Sequence, residues 1–484
     1  MNNIRIINKN FHPLNSEQIE QLESQGCYSS DWNSIIVSKA LDLKNIRNSR
    51  LEGSFIIEED TIIENVTLLQ FTENPVCGIG TEVCVLDETG SRAVTIYPGL
   101  SAQTALIMCR IPEWKKEKGN MIVSRHIANI LQNSLAVISK GATIRNCGRI
   151  IDVSIGTNCI IEGASHLKNG IITNNSSSPD FHPLIGPNVN AENFIIEDAI
   201  VDSGAILRNC YVGQGCCIEK GFSAHDSLFF ANCTMENGEA CAIFASPHSV
   251  SVHKSSLLIG CQTSFLNAGS GTNMSNHMYK LGPIHWGILE RGVKTSSASY
   301  LMLGAKIGAF SLLMGQHKTH PDSSEFPFSY LFGDEKGGTV VVPGAMLRSC
   351  GLMRDEKKWE MRDHRMKNSL PRQDRIIHDV LTPLTVDTML CSLKVIRKLL
   401  NAPMDDDRYL RYKGMKFTRA ALERARFLYE SAIYKYLYLN TDKDGFPPQT
   451  DEKPDEWIDL AGQPITRSLL EEILKTESIT EIEQ

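Results

Sequence analysis

Histidine side chains concentrate in one part of this 484-residue chain. Residues 222 to 320 hold seven of the thirteen histidines, together with many Asn, Ser, Lys and Arg side chains. An imidazole has an ordinary pKa of about 6.5, so near neutral pH it can take a proton from a hydroxyl or amine. The composition of this stretch therefore predicts a site for acid–base chemistry. The seven histidines are His225, His248, His253, His277, His285, His317 and His320.

Two of these histidines, His277 and His285, are the first candidates for a general base, and His253 and His317 follow them. Neighbouring amide and hydroxyl side chains can hydrogen-bond the hydroxyl groups of a ligand, and the cationic side chains can bind phosphate. We therefore expect one polar binding site. The predicted substrate-binding residues are Asn267, Asn273, Asn276, Tyr279, Lys280, Arg291, Lys294 and Gln316.

The elements that must position these residues are short repeats of aliphatic and small residues. Val201, Leu207, Val212 and Ile218 follow one another at intervals of six, five and six residues. A period of about six predicts a parallel β-helix, in which each short strand contributes one inward aliphatic side chain. Because one coil takes about 18 residues, side chains that far apart stack on each other. We expect the histidine-rich stretch to become a compact patch, with residues such as His253, Ser270 and Lys294 as near neighbours.

The repeats divide the chain into three parts. Residues 1 to 50 are predicted to form a helical lead-in that caps the first coil, and residues 51 to 350 the β-helix. Residues 103 to 135 interrupt the repeats with apolar residues at helical spacing, which predicts a helical insertion. Residues 351 to 484 are predicted to form a helical extension with an acidic tail.

Composition excludes several classes of function. The net charge is −7, and residues 441 to 484 hold 12 acidic and 4 basic residues, so we expect neither nucleic acid nor a membrane as partner. Many of the fourteen cysteines occupy positions where the repeat requires a small residue, which favours reduced thiols and a cytoplasmic protein. Neither an apolar leader nor a membrane-spanning segment is expected.

Two sets of motifs resemble known proteins. The segment Ala205-Ile206-Leu207-Arg208-Asn209-Cys210-Tyr211-Val212-Gly213-Gln214-Gly215-Cys216 resembles the left-handed coils of hexapeptide-repeat acyltransferases and of the C-terminal domains of sugar-nucleotide pyrophosphorylases. Residues 84 to 92, 100 to 103 and 273 to 283 resemble an uncharacterised hexapeptide-repeat family, some of whose members are labelled sugar-1-phosphate nucleotidylyltransferases.

The resemblance implies a mainly β fold: a left-handed parallel β-helix with helical additions at both ends. It also implies a homo-oligomer, with a trimer favoured, that transfers an acyl group from a CoA-type donor to a sugar or sugar nucleotide. One histidine would act as general base, and backbone N–H groups would stabilise the developing oxyanion. No cofactor is expected beyond acyl-CoA as co-substrate.

Three alternatives stay open. The chain can be a nucleotidylyltransferase relative without its catalytic domain, because residues 1 to 50 contain no Gly-rich phosphate loop. It can be a metal enzyme of the γ-carbonic-anhydrase type with three imidazole ligands, although no metal-binding residues are assigned from the sequence. It can also be a non-catalytic scaffold for binding or assembly.

Overall fold

The protein is built mainly of short β-strands in parallel sheets, with helices added along the chain. The structure is a computed structural model that describes residues 10–87, 90–133, 135–275, 286–403, 409–441 and 455–483. Within these ranges, two long sheets of twenty and nine strands form its body. All described pairings in them are parallel except that of Phe11–Pro13 with Ile35–Ser38.

The strands of the two sheets are short. The larger sheet contains Phe11–Pro13, Ile35–Ser38, Leu51–Glu52, Phe55–Ile57, Leu68–Gln70, Val137–Ile138, Arg149–Ile155, His166–Thr173, Asn190–Glu197, Ile206–Val212, Ser223–Phe229, Glu239–Cys241, Phe244–Ala245, Leu257–Ile259, Cys261–Thr263, Asn273–Ser275, Gly287–Leu289, Tyr300–Met302, Lys306–Ile307 and Gln316–His317. The smaller sheet contains Ile46–Arg47, Ile62–Glu64, Thr143–Arg145, Ile160–Glu162, Leu184–Ile185, Ile200–Val201, Cys217–Glu219, Thr234–Glu236 and Val250–Ser251.

Successive coils of the chain pair in register. Arg149 lies beside His166, and Asn190 beside Ile206, so one coil takes 17 or 16 residues. Equivalent aliphatic side chains therefore stack in one inward column, and each is wholly buried. Burying each such side chain stabilises the fold by about 1.5–3 kcal/mol. The column contains Ile63, Ile144, Ile161, Ile185, Val201 and Ile218.

Asparagine side chains hold one corner of the stack. Asn169, Asn193 and Asn209 adopt left-handed backbone angles, with φ between 51° and 55°, which Asn tolerates better than most residues. Each side-chain amide donates to the next coil: Asn169 to Asn193 at 2.8 Å, Asn193 to Asn209 at 2.9 Å and Asn209 to Asp226 at 3.0 Å. This ladder ties four coils together at the point where the chain turns.

Ten helices are present among the described residues. They are α1 Ser16–Ser24, α2 Ala102–Arg110, α3 Pro112–Trp114, α4 Asn120–Ile130, α5 Cys350–Met361, α6 His364–Lys367, α7 Pro383–Leu400, α8 Arg419–Leu439, α9 Arg467–Ile473 and α10 Ile479–Glu483. A π-helical segment, Lys115–Gly119, joins α3 to α4, and short 3₁₀ turns occupy Trp32–Ser34, Leu43–Asn45 and Ala345–Arg348. No helix in the described ranges is long and apolar enough to cross a membrane.

The insertion is longer than the predicted 103 to 135, because the stack stops after Leu68–Gln70 and resumes at Val137–Ile138. Leu68 lies beside Arg149, so the stack continues as though the intervening residues were absent. The insertion folds back on the outer surface of the coils, where Tyr211, Leu228 and Phe244 form a second core with α2. Its remaining strands, Glu82–Val83 and Val94–Thr95, form an antiparallel pair.

Buried carboxylates attach the insertion to its neighbours. The Gly99 N–H donates to Glu197 at 2.7 Å. The Asp374 carboxylate accepts from Ala102 at the start of α2 at 2.7 Å and from Ala231 in the stack at 2.8 Å. The insertion, the coils and the C-terminal region are thus joined in one hydrogen-bonded network.

Both ends of the stack differ from the prediction. The predicted helical lead-in contains strands, because Ile35–Ser38 pairs with Phe55–Ile57, so stacking begins before residue 51. At the other end, Tyr330–Gly333 pairs antiparallel with Thr339–Val342, so the parallel repeats stop before residue 350.

Strands also occur in the predicted helical extension. A six-stranded sheet contains Lys294–Thr295, Leu312–Met314, Tyr330–Gly333, Thr339–Val342, Leu410–Tyr412 and Met415–Phe417. A hairpin is formed by Trp457–Leu460 and Gln463–Thr466. Helices α7 and α8 close this end, with Met389, Ile396 and Tyr429 buried in the continuous core.

Replacing Asn193 tests the corner ladder. Asn193→Ala removes two side-chain hydrogen bonds. It also places at φ 55° a residue that tolerates the left-handed conformation less well than Asn does. We expect a loss of about 2–3 kcal/mol in the free energy of unfolding, measured by urea denaturation. Asn193→Gly removes the same bonds but relieves the backbone strain, so it should lose about 1 kcal/mol less. Equal losses for the two variants would contradict the role of the left-handed corner.

Candidate functional site

A cavity of about 300 Å³ lies where the coils meet α2, α7 and the C-terminal hairpin. We call it the Arg291 cavity. The strands Cys261–Thr263 and Gly287–Leu289 bring two successive coils to its wall, and Thr388 of α7 closes another side. Its polar lining residues are Arg110, Gln262, Ser264, Glu290, Arg291, Ser324, Thr385, Thr388 and Asp459.

Arg291 is the most unusual of these residues, because its side chain is charged and only 1% exposed. Its guanidinium group lies over the rings of Phe265 and Phe310, and Nη2 donates to the Ile377 carbonyl at 2.5 Å. Nε and Nη1 have no hydrogen-bond partner among the described residues. Burial lowers the pKa of Arg291, since removing a charged group from water is unfavourable.

Asp459 faces this guanidinium group without bonding to it. Its Oδ2 atom lies 3.9 Å from Nη1 of Arg291, beyond hydrogen-bond distance, and has no other partner among the described residues. The other oxygen, Oδ1, accepts from the Gly462 N–H at 2.6 Å. A buried donor and a buried acceptor are thus both available to a small ligand.

Glu290 gives the cavity a group that titrates near neutral pH. Burial raises its pKa from 4.5 to about 8, the Ala309 N–H opposes this rise, and the negative charges of Asp459 and Asp322 add to it. Oε2 accepts that N–H at 3.0 Å. At neutral pH, Glu290 is therefore mainly protonated, and a minor ionised fraction, which grows as the pH approaches 8, can act as a base.

Arg110 extends the positive charge to the exposed rim. Its Nη1 atom donates to Gln262 at 2.6 Å, and its guanidinium group lies 4.9 Å from the ring of Trp286. Arg92 contacts the same ring at 4.6 Å. Inside the rim, the Ser264 hydroxyl is buried and has no partner among the described residues. The cavity can therefore bind an anionic group and also hydrogen-bond a hydroxyl.

Comparison with known proteins was made with family models and with curated proteins. The family model described as "Domain of unknown function (DUF4954)" matches residues 53–400. The chain belongs to the DUF4954 family. No curated protein matches it. The matched region contains Ser264, Glu290 and Arg291 of the cavity, whereas Asp459 lies outside it.

Among the predicted substrate-binding residues that the structure describes, Arg291 alone lines the cavity. Lys294 instead forms an ion pair with Asp355 of α5. Asn267 stacks beside Lys294 in the next coil and has an exposed side chain, and Gln316 is also exposed. The side-chain oxygen of Asn273, Oδ1, is buried and has no hydrogen-bond partner among the described residues.

The two predicted catalytic histidines that the structure describes, His253 and His317, do not line the cavity. His317 is wholly buried, with Nδ1 2.8 Å from the Thr339 hydroxyl and Nε2 3.1 Å from the Met314 carbonyl. Because the ring is buried and both nitrogens have hydrogen-bond partners, neither nitrogen is available to a substrate in this conformation. Burial also lowers the pKa of His317 to about 4. His253 is exposed, on a turn beside Lys254.

The remaining predicted residues lie outside the described ranges. They are His277, His285, Asn276, Tyr279 and Lys280.

Sequence analysis assigned no site role to Glu290, Asp459 or Arg110. Glu290 adjoins Arg291 in a polar stretch, which was its only sequence signal. Arg110 and Asp459 lie in the insertion and in the C-terminal hairpin, far from the repeats that carry the other cavity residues. Their approach to Arg291 depends on how these additions pack against the stack.

The pKa of Glu290 predicts how stability depends on pH. The folded protein holds this proton up to about pH 8, whereas the unfolded chain releases it near pH 4.5. Between these values only the unfolded state gains from ionisation of Glu290, so the free energy of unfolding falls as the pH rises. Glu290→Gln keeps an acceptor for Ala309 but cannot ionise. We expect its stability relative to the wild type to increase by roughly 1–3 kcal/mol from pH 5 to pH 8.

Urea denaturation across this pH range measures the difference between the two proteins. The exposed Glu20→Gln substitution is the matched control and should track the wild type. A constant difference between wild type and Glu290→Gln would show that Glu290 does not hold its proton in the folded state.

Proposed function

We propose that this DUF4954 protein binds a phosphorylated sugar or sugar nucleotide in the Arg291 cavity and transfers an acyl group to it from a CoA-type donor. The observation that carries the proposal is the buried guanidinium group of Arg291, with two nitrogens lacking described partners, beside the protonatable carboxyl of Glu290. A buried cation with free donors favours an anion that can accept hydrogen bonds. A sugar phosphate carries an anionic group that can bind Arg291. It also carries hydroxyl groups that can hydrogen-bond Ser264 and Asp459.

The size of the cavity limits what enters it. A volume of about 300 Å³ suits a sugar or a sugar phosphate, at the small end of ligand pockets. The remainder of a sugar nucleotide would extend past Arg110, whose charge is exposed at the rim. This arrangement supports recognition of the sugar and an adjoining phosphate, with weaker selection for the rest of the ligand.

Acyl transfer needs a base that is active near neutral pH. In the proposed step, ionised Glu290 takes the proton from a sugar hydroxyl or amine while that group attacks the thioester carbonyl carbon. The carbon–sulfur bond then breaks, and Glu290 returns the proton to the departing thiolate of CoA. A carboxyl with a pKa of about 8 is a stronger base than an ordinary one, which supports this role. His277 and His285 are the alternative bases.

The fold proposal is a left-handed β-helix of the hexapeptide-repeat type. It is supported by the resemblance of residues 205–216 to such coils and by the parallel, in-register stacking of successive coils. The resemblance also leads us to propose a homo-oligomer, with a trimer favoured. Buried thiols such as Cys210, whose pKa burial raises to about 12, support a reducing compartment, which we propose to be the cytoplasm.

Replacement of Arg291 separates binding from stability. Arg291→Met keeps an apolar side chain between Phe265 and Phe310 but removes the buried charge. We expect it to weaken binding of a sugar 1-phosphate or sugar nucleotide at least tenfold, measured by calorimetry, while the melting temperature stays equal or rises. Exposed Arg125→Met is the matched control and should bind normally. Unchanged binding by Arg291→Met would contradict the proposed ligand site.

Turnover with acetyl-CoA and sugar substrates tests the chemical step and the identity of the base. Glu290→Gln should lower kcat by about 100-fold or more with little change in sugar affinity, because it removes the base but not the cation. His277→Ala and His285→Ala provide the comparison. If either histidine variant abolishes turnover and Glu290→Gln does not, a histidine is the base. If the wild type neither binds nor acylates any sugar or sugar nucleotide, the proposed function is wrong.

A further inference from the structure

Two histidines from distant parts of the chain face each other beside the Arg291 cavity. Nε2 of His248 lies 3.0 Å from Nε2 of His378. His248 occupies a left-handed corner of the stack, with φ 59°, and is only 4% exposed. His378 lies between α6 and α7 and is partly exposed. A solvent path to the pair therefore exists on the His378 side.

A carboxylate completes the cluster. The ligand atoms of Asp363, His248 and His378 all lie within 4.8 Å of one another. Asp363 caps the N-terminus of α6, and its Oδ1 atom accepts from Asn232 at 2.9 Å and from the Arg365 backbone and side chain. Oδ2 accepts only from Arg365 among the described residues, at 2.7 Å, which leaves it a lone pair. These contacts hold the carboxylate in place, as outer hydrogen bonds do for metal ligands.

The distance between the two imidazoles suits a metal ion. The separation of 3.0 Å between the nitrogens is close to the roughly 3.3 Å between ligands of tetrahedral zinc, given Zn–N bonds of about 2.0–2.1 Å.

We propose that His248, His378 and Asp363 form a binding site for a divalent transition-metal ion of the zinc class. Two imidazole nitrogens and one carboxylate oxygen supply three ligands, and a fourth position is left for water. Closing around an ion requires a small inward shift of the Asp363 side chain, which weakens its hydrogen bonds from Arg365. The positive charge of Arg365 beside Asp363 opposes the ion and keeps its affinity moderate.

The ion would join two parts of the fold. His248 belongs to the stack, whereas Asp363 and His378 belong to the segment that connects α5 to α7. Ile377, directly before His378, accepts the hydrogen bond of Arg291. Phe265 stacks on His248 and lies under the same guanidinium group. Metal binding would therefore fix the segment that positions Arg291, whatever ligand the cavity takes.

Metal binding to the full chain tests this proposal without any sugar ligand. After treatment with a chelator and reloading, we expect one Zn²⁺ per chain by elemental analysis. With Co²⁺, the protein should show the d–d absorption of a nitrogen- and oxygen-ligated site. Added Zn²⁺ should raise the melting temperature of the metal-free protein, because an ion bound only to the folded state stabilises it.

Three variants locate the site. His378→Ala should lose stoichiometric Zn²⁺, and Asp363→Asn should bind it at least tenfold more weakly, whereas exposed His253→Ala should bind as the wild type does. Circular dichroism verifies that the variants fold, and His378→Gln replaces His378→Ala if that variant does not.

Two results would overturn the proposal: no stoichiometric metal in the reloaded wild type, or undiminished metal in a folded His378 variant. In either case the two histidines form only a neutral hydrogen-bonded pair. Because no sugar is added, failure here leaves the test of the Arg291 cavity intact.

Discussion

The structure depends on the return of the chain to the same lateral position after each coil, which takes 16 to 18 residues where no loop is inserted. Left-handed corners at Asn169, Asn193 and Asn209 enforce this return, and the inward column from Ile144 to Ile218 stabilises it. A shift by one residue would turn inward side chains outward, so the register is strongly specified. The same register pairs Thr263 with Leu289, and thereby places Ser264 of one coil beside Glu290 of the next. The register of the coils therefore determines which side chains meet in the candidate site.

Electrostatics in the cavity are organised around one buried cation. The guanidinium group of Arg291 has aromatic rings on two sides and a carboxylate 3.9 Å away, a distance that leaves the pair incompletely bonded. Glu290 is mainly protonated at neutral pH and therefore adds no further negative charge beside Arg291. Such a buried and partly unpaired cation is unfavourable for stability. Its presence is readily explained if an anionic ligand completes its hydrogen bonds, and this explanation links the stability of the site to its proposed function.

Sequence reasoning was most successful where the interactions are local. The spacing of Val201, Leu207, Val212 and Ile218 predicted the parallel stacking, because a stack of coils needs inward aliphatic residues at a nearly constant separation along the chain. It was less successful with histidines, because closeness along a repeat does not determine which way a side chain points. His317 is wholly buried, whereas His253 is exposed, although both belong to the same polar run. His248 instead meets His378, a partner 130 residues away.

The sequence by itself determined the parallel repeats, the turns occupied by Asn and Gly, and the amphipathic patterns of α7 and α8. Each follows from periodicities of one short segment, which inward burial and backbone conformation impose directly. Only the tertiary structure decided that the insertion and the C-terminal hairpin bring Arg110 and Asp459 to Arg291. The physical reason is that these contacts depend on how separate elements pack on the outer face of the stack. No periodicity within a single segment encodes that packing.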